Sequence, residues 1–419
     1  MPNTNEAFVK EHLEVTRRWL LRAGTASAVA MSGLPLRSND KLSGPELQAA
    51  IDGLESYFTK PDDFRDVSRG KPKPHSLDEE QRRAVGLTRE TWKLEIISDA
   101  DNPARVSKEL TKEKETALDF NGLMQLAEKH AVRFPKVMTC LNIGCPLGMG
   151  IWEGVPLREA IWLAEPRENL RRVFYYGYHN DDPKQMFRSS QPVGRVLEDL
   201  YDLPPIILCY KLNGEWLTPE RGGPVRVVVP EGYGFKSIKW LTTLVLSNLH
   251  HANDTYANGN NDLDSPLKSF AATLSVPNEI KPDTPFAVTG YAQVGVSGLS
   301  KVQVSLYKEG DQLPKDDPYF TKAAWQDVQM LPPPGAWGGG LPDGKIPAHT
   351  MGFEDGRPAS WPMKLAKVHW ATLMPALAEG KYRLRSRTVD ANGHAQPMPR
   401  PFRKSGHATI EQVRITVKA

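Results

Sequence analysis

The sequence predicts a mixed α+β domain followed by an all-β sandwich of the immunoglobulin type. Three observations carry this. Up to about residue 248, apolar runs of helical spacing alternate with short apolar runs bounded by turns. Residues 249–267 are then rich in Asn and Asp and read as a linker or lid. After Val276 almost every apolar run alternates with period two, as strands of a sandwich do. Composition agrees, because 33 Gly and 35 Pro exceed the usual share and favour strands and loops over a helical bundle. At 419 residues the chain is long enough for roughly two or three domains.

Taken in order, residues 1–35 open with Arg17-Arg18-Trp19-Leu20-Leu21-Arg22 and a small-residue stretch ending in Ala28-Val29-Ala30. This has the form of a twin-arginine export signal, and the competing reading is an amphipathic surface helix. Residues 36–85 are polar and Pro-rich, a wrapping segment with one helix near 44–57. Trp92-Lys93-Leu94-Glu95-Ile96 alternates as a half-buried strand. Residues 120–130 carry helical spacing through Leu123, Leu126 and Ala127. Residues 155–164 read as a second helix with Pro156 in its first turn. Strands are expected at 206–210, 225–229 and 239–246, with a hairpin turn at Asn213-Gly214. In the sandwich they are expected at 286–294, 302–306, 382–389 and 413–417. A turn falls at Ala391-Asn392-Gly393, and residues 331–345 form a long inserted loop. The predicted division is a signal segment at 1–35, a first domain at 36–270 and the sandwich at 271–419.

Charge and composition exclude several function classes. Lys and Arg number 53 against 50 Asp and Glu, a surplus too small to support nucleic-acid binding. Mean hydropathy is −0.46 and no apolar run approaches 18 residues, so no membrane span is expected. Cys140, Cys145 and Cys209 cannot all pair and are too few for a disulfide scaffold. The chain lacks Cys-x-x-Cys-His, His-Glu-x-x-His and a Gly-x-Gly-x-x-Gly after a strand, so neither haem nor flavin is evident. His250 and His251 are adjacent, and neighbours on a strand face opposite sides, which disfavours a shared metal.

Two clusters can carry chemistry. Cys140 ends the apolar run Val137-Met138-Thr139 and precedes a Gly-rich loop at 144–150, leading to Trp152-Glu153-Gly154-Val155-Pro156-Leu157. A cysteine at a strand end can present a thiolate to a ligand, or it can simply fill the core. The second cluster is Gly222-Gly223-Pro224-Val225-Arg226 followed by Gly234-Phe235-Lys236-Ser237-Ile238-Lys239-Trp240-Leu241. Cations and a serine interleaved with glycines suit a phosphate or pyrophosphate, and the alternative is a solvated charged turn.

Together, and in this order, these pieces resemble the sulfite oxidase family of molybdenum enzymes. The pieces are Cys140, Trp152 to Leu157, Tyr210 to Glu215, Gly222 to Arg226 and Ser237 to Leu241. Residues from Val276 resemble that family's immunoglobulin-like dimerisation domain, so the likeness covers roughly residues 60–417. It implies a molybdopterin cofactor, one pterin per subunit, with Cys140 as the protein thiolate on molybdenum. It implies that Arg226, Lys236, Ser237 and Lys239 contact the pterin and its phosphate, with Arg69 and Ser190 as further contacts. Tyr256, in Asn253-Asp254-Thr255-Tyr256, matches the family's active-site tyrosine, and His179 is a candidate proton carrier or a solvated loop histidine.

The resemblance also implies oxygen-atom transfer to or from a small sulfur-containing substrate or oxyanion, an external electron acceptor such as a cytochrome c, and a homodimer. With the export signal it implies a periplasmic protein. The alternatives are a sulfoxide-type reductase on the same fold, or a binding scaffold that has lost the cofactor. The sequence departs from the family where no cation follows Cys140 and where Glu220-Arg221 replaces an Asp-His pair, which puts sulfite itself in question. In the sandwich, Trp337 is the most exposed tryptophan by context, since its Gly-rich flanks offer no core; it is expected either to serve an interface or to pack back onto its own subunit, covering the sandwich or the first domain.

Overall fold

The computed structural model describes residues 44–141, 146–199, 202–257, 263–264, 266–311, 320–321, 323–396 and 410–419. Arg17-Arg18 and Cys145 lie outside the described residues. Among the described residues the first helix is α1 (Pro45–Asp52), followed by an extended strap and then α2 (Glu79–Ala84). Asp78 caps α2 with a reciprocal capping box to Gln81.

Two five-stranded sheets build the first domain. One contains β1 (Lys93–Ser98) and β2 (Leu118–Asp119), the latter leading into α3 (Phe120–His130). The helix stands where its apolar spacing predicts, with Asp119 capping the Gly122 N–H. The second sheet begins with β3 (Val132–Thr139) and β4 (Pro146–Pro156), which leads into α4 (Leu157–Trp162). Then come β5 (Arg172–Gly177), β6 (Arg188–Pro192), α5 (Val193–Leu197), β7 (Ile207–Leu212), β8 (Glu215–Trp216), β9 (Arg226–Val228) and β10 (Leu241–Ser247). The first sheet has the order β2-β1-β10-β5-β6, with β1 and β10 parallel. The second runs β3-β4-β7-β8, with β9 also paired to β7. Asn213 and Gly214 both have positive φ, as the predicted two-residue hairpin between β7 and β8 demands.

Two expectations fail here. Residues 146–150 are strand rather than loop, because their glycines serve close packing: Phe64 lies over Gly148, and Leu212 and Asn213 over Gly150. The predicted helix at 155–164 starts at Leu157, because β4 keeps its ladder to β7 through Pro156.

The sandwich begins with β11 (Phe270–Ser275) and β12 (Phe286–Gln293). It continues through β13 (Lys301–Lys308), β14 (Gln326–Met330), the small hairpin β15 (Phe353–Glu354) and β16 (Arg357–Pro358), then β17 (Lys367–Met374), β18 (Gly380–Val389) and β19 (Glu411–Val417). Seven strands follow the order β11-β12-β17-β14-β13-β18-β19. β14 pairs β13 through Gln326–Val328 and β17 through Gln329 and Met330, so it passes from one sheet to the other. Val288, Val302, Val304, Trp370 and Leu384 fill the space between.

The strap ties the two parts together. Leu47 of α1 packs on Ala287 and Ala371 of the sandwich. Phe58 N–H donates to the Trp337 carbonyl (2.9 Å), and Thr59 and Arg65 N–H donate to the Met149 and Leu147 carbonyls of β4. Trp337 is therefore buried, at 7% exposure, against Tyr57, Phe58, Phe353 and Trp361. Of the two expectations for this tryptophan, packing back onto its own subunit is the one met: it is the centre of the joint, because the strap supplies the apolar partners that its own glycine-rich flanks lack.

Candidate cofactor site

A cavity of about 340 Å³ opens at the ends of β3 and β9. Cys140 stands one residue past β3 and is half-buried on its wall. Arg226 opens β9, while Ser237 and Lys239 lie between the short turn Gly234–Lys236 and β10. The backbone from Ser237 to Leu241 is zipped to the glycine loop: Trp240 N–H donates to the Gly222 carbonyl, Leu241 to Val225, and Val227 to Ile238. Gly222 permits this approach. Its φ is +95°, and a Cβ there would meet the Lys239 side chain at 2.7 Å. His179 lies just past β5 and Tyr256 in a turn beyond β10, while Arg69 belongs to the strap.

The cavity is strongly cationic. Arg65, Arg69, Arg221, Arg226 and Lys239 line it, and no carboxylate does so among the described residues. Arg226 is 4% exposed and spends both Nη atoms on the Arg221 and Ser237 carbonyls, at 2.8 and 2.6 Å. Its Nε, and that of Arg221, are buried without a hydrogen-bond partner. Burial, reinforced by Arg221, pulls the Arg226 guanidinium down to about 10. Burial, then the neighbouring Arg226 charge, brings Lys239 down to about 7. Lys239 Nζ donates to Ser68 Oγ (2.7 Å), Asp66 Oδ1 (3.2 Å) and the Glu220 carbonyl (2.5 Å). Burial would raise the Asp66 carboxyl, but bonds from Lys73 and Ser68 and the Lys239 charge hold it far below the usual range. Crowded buried cations with orphaned N–H groups call for an anion, and a phosphate-bearing pterin supplies one.

Residues 83–255 match the family model described as an oxidoreductase molybdopterin binding domain. This stretch is a sulfite-oxidase-type molybdopterin-binding domain. This chain is 27% identical over 254 residues to a protein-methionine-sulfoxide reductase catalytic subunit of Burkholderia mallei, covering 54% of this chain and 67% of the relative. Over 115 residues it is 28% identical to an NADH nitrate reductase of Volvox carteri, covering 26% of this chain and only 13% of that protein. The fold is similar to that of a sulfane dehydrogenase of Paracoccus pantotrophus (TM-score 0.55, 16% identity, 94% of this chain and 93% of that one covered).

Of the residues nominated from the sequence, the molybdopterin domain and its strap bring Cys140, Arg69, His179, Arg226, Ser237, Lys239 and Tyr256 to one cavity. Ser190 and Lys236 are not brought to it. Both are buried behind it, where Lys236 pairs with Asp254 at 2.8 Å. A lysine in this sequence context is equally able to face either way, and Asp254 decides it. His179 Nδ1 lies 2.6 Å from the Gly177 carbonyl, which can only accept, so Nδ1 carries the proton and Nε2 is left as an acceptor. Burial, opposed by that bond and reinforced by Arg69, lowers its pKa and favours the neutral ring. Tyr256 packs edge-on to Phe187 and Phe235, both wall residues.

Arg221 and Arg65 also line the cavity and were not nominated. Arg221 sits directly before the glycine loop, a signal that was present in the sequence; Arg65 lies in a Pro-rich segment without a pattern. Cys209 is no rival to Cys140 as a ligand, because burial pushes its thiol up to about 12. His250 and His251 are not on a strand; their rings meet edge-on at 5.2 Å, and no metal-holding group of His, Cys, Asp or Glu occurs among the described residues.

Proposed function

We propose that this protein moves an oxygen atom to or from a small sulfur-containing substrate and exchanges the electrons with an external partner such as a cytochrome c. The observation that carries the reading is the convergence of Cys140 and five cations on one cavity. Cys140 would ligate molybdenum, and Arg221, Arg226, Ser237 and Lys239 would hold the pterin and its phosphate. When bound, the group supplies two-electron oxygen-atom transfer. The chain's own residues do the rest. The orphaned Nε atoms of Arg221 and Arg226 neutralise the anion, and Phe64, Trp152 and Phe235 exclude water. Tyr256 offers a hydroxyl at the wall, and neutral His179 offers Nε2 as a proton acceptor. Arg69, held 5.2 Å above the Phe187 ring, supplies positive charge at the same wall.

The reducing direction, acting on a sulfoxide, is favoured by the likeness to the methionine-sulfoxide reductase subunits, which spans more of this chain than the nitrate reductase match. We further read the protein as exported by the twin-arginine route to the periplasm and as a homodimer joined through the sandwich. Among the described residues no helix is long and apolar enough to cross a membrane.

The test is protein matured in a host that makes the cofactor. Stoichiometric molybdenum is expected, with turnover either of sulfite by an electron acceptor or of a sulfoxide by a reduced dye. Metal without turnover of any sulfur compound would sink the substrate reading, and absence of metal would sink the enzyme reading. Light scattering should give about twice the 46.7 kDa chain, less any cleaved signal.

A further inference from the structure

Behind the cavity, and outside its lining, lies a closed polar knot. The Lys236 side chain is fully buried and that of Asp254 is 2% exposed. Lys236 Nζ donates to Asp254 Oδ2 at 2.8 Å and to the Ser190 carbonyl at 3.1 Å. Asp254 Oδ1 accepts from Ser190 Oγ at 2.6 Å, and Oδ2 accepts from Ser189 Oγ at 3.4 Å. Ser190 Oγ in turn accepts from Arg172 Nη1 at 3.1 Å. Each partner of the ion pair thus has its charge and its polar atoms answered inside the protein.

The pair joins two segments that both reach the cavity. Lys236 directly precedes Ser237 and stands three residues before Lys239. Asp254 stands two residues before Tyr256. Around the knot, Thr255 N–H donates to the Arg188 carbonyl (3.0 Å), and Arg188 N–H donates back to Thr255 Oγ1 (2.8 Å). The Tyr175 hydroxyl donates to the Lys236 carbonyl at 2.8 Å, fixing the other segment to β5. A buried ion pair seldom stabilises a fold more than apolar side chains of the same volume would, because desolvation offsets the attraction. Stability therefore does not account for this pair, whereas its position does.

We propose that Lys236 and Asp254 are positioning residues, a strut that holds the Tyr256 turn in register with the Ser237–Lys239 segment. Its catalytic consequence rests on the reading of Tyr256 as a substrate-facing group. Neither residue touches the cavity; the strut acts through Tyr256. Replacing the pair by apolar side chains in Lys236→Met/Asp254→Leu keeps the volume filled while removing the link between the segments.

Amide hydrogen exchange on the cofactor-free full chain tests the strut without any turnover. Exchange in residues 251–257 and 234–239 should quicken at least about tenfold in the double variant, with β5 and the sandwich strands unchanged; equal exchange overturns the strut. If the double variant does not fold, Asp254→Asn, which keeps shape and loses charge, gives the same comparison. On loaded enzyme, Tyr256→Phe is measured in both backgrounds. In the parent it should lower kcat about tenfold with KM little changed. In the strut variant the same substitution should cost less than about twofold, since Tyr256 is already displaced. Equal losses in both backgrounds overturn the strut. No loss in the parent overturns the catalytic reading of Tyr256, and the exchange result then still decides the strut.

Discussion

Lys239→Met should make the cofactor-free protein more stable at pH 6 and worse at holding the cofactor. In the folded chain the Lys239 ammonium titrates at about 7 against 10.5 when unfolded, chiefly because it is buried beside Arg226. Below about pH 7 the folded state must therefore carry a buried charge that the unfolded state carries in water. A drop of that size corresponds to about 5 kcal/mol of destabilisation, at roughly 1.4 kcal/mol per pH unit. Methionine removes that penalty but forfeits the bonds to Ser68, Asp66 and the Glu220 carbonyl, at about 1 kcal/mol each. The net gain at pH 6 is about 2 kcal/mol. Between pH 7 and 10.5 the unfolded lysine still holds a proton that the folded one has lost, so parent stability climbs with pH. By pH 9 only about 2 kcal/mol of the penalty remains, and the advantage of methionine should vanish or reverse. Urea unfolding of both cofactor-free proteins from pH 6 to 9 measures this. A methionine variant less stable than the parent at pH 6, or a difference that does not change with pH, would mean that Lys239 imposes no buried-charge penalty on the fold. In the same variant the pterin phosphate loses one nearby positive charge and should be released more readily, read by equilibrium release of the pterin.

Other substitutions probe the frame around the site. Gly177→Ala would set a Cβ 2.1 Å from the Lys239 carbonyl and 2.5 Å from that of Trp240, so the segment must shift. About 1–3 kcal/mol of stability and much of the pterin occupancy should go, checked by thermal unfolding and pterin release. Cys140→Ser should abolish molybdenum retention while Cys209→Ser keeps it, measured by metal analysis; equal effects would misplace the ligand. Trp337→Ala empties the joint between strap, β4 side and sandwich and should cost about 3–5 kcal/mol in denaturant unfolding; a loss under 1 kcal/mol would show that the joint is not tightly packed.

What the sequence made legible was the local part of the fold. Helix α3 could be read because Leu123, Leu126 and Ala127 recur at helical spacing and face the core. The β7–β8 hairpin followed from Asn213-Gly214, since few residue pairs tolerate two positive φ values in succession. Cys140 and Arg226 stood out because a strand end and a glycine loop are visible in one dimension. The misses share a cause in long-range contact. The glycines of β4 looked like a loop because Phe64 and Asn213, which crowd them, lie far away in the chain. Lys236 and Lys239 looked alike until Asp254 claimed one and the cavity the other. Trp337 lacked visible partners because Tyr57 and Phe58 are some 280 positions upstream.

The strap has a consequence in time. Its residues Phe64, Arg65, Val67, Ser68 and Arg69 form one wall of the cavity, and this stretch is bonded to β4 and Lys239, whereas the part before it rests on residues made much later. Glu55 pairs with Lys367, 312 positions further along, and with Trp337 the latter completes the docking surface. At about 5–20 residues per second, a ribosome needs roughly 15–60 s to cover that interval. Only in the last part of it, once Tyr256 is made, can the whole molybdopterin domain be folded, and the strap is then held by its bonds to β4 and Lys239. Its second hold, on Trp337 and Lys367, comes only when the C-terminal third emerges, so synthesis itself leaves that wall of the pocket pinned at one end until the chain is nearly finished.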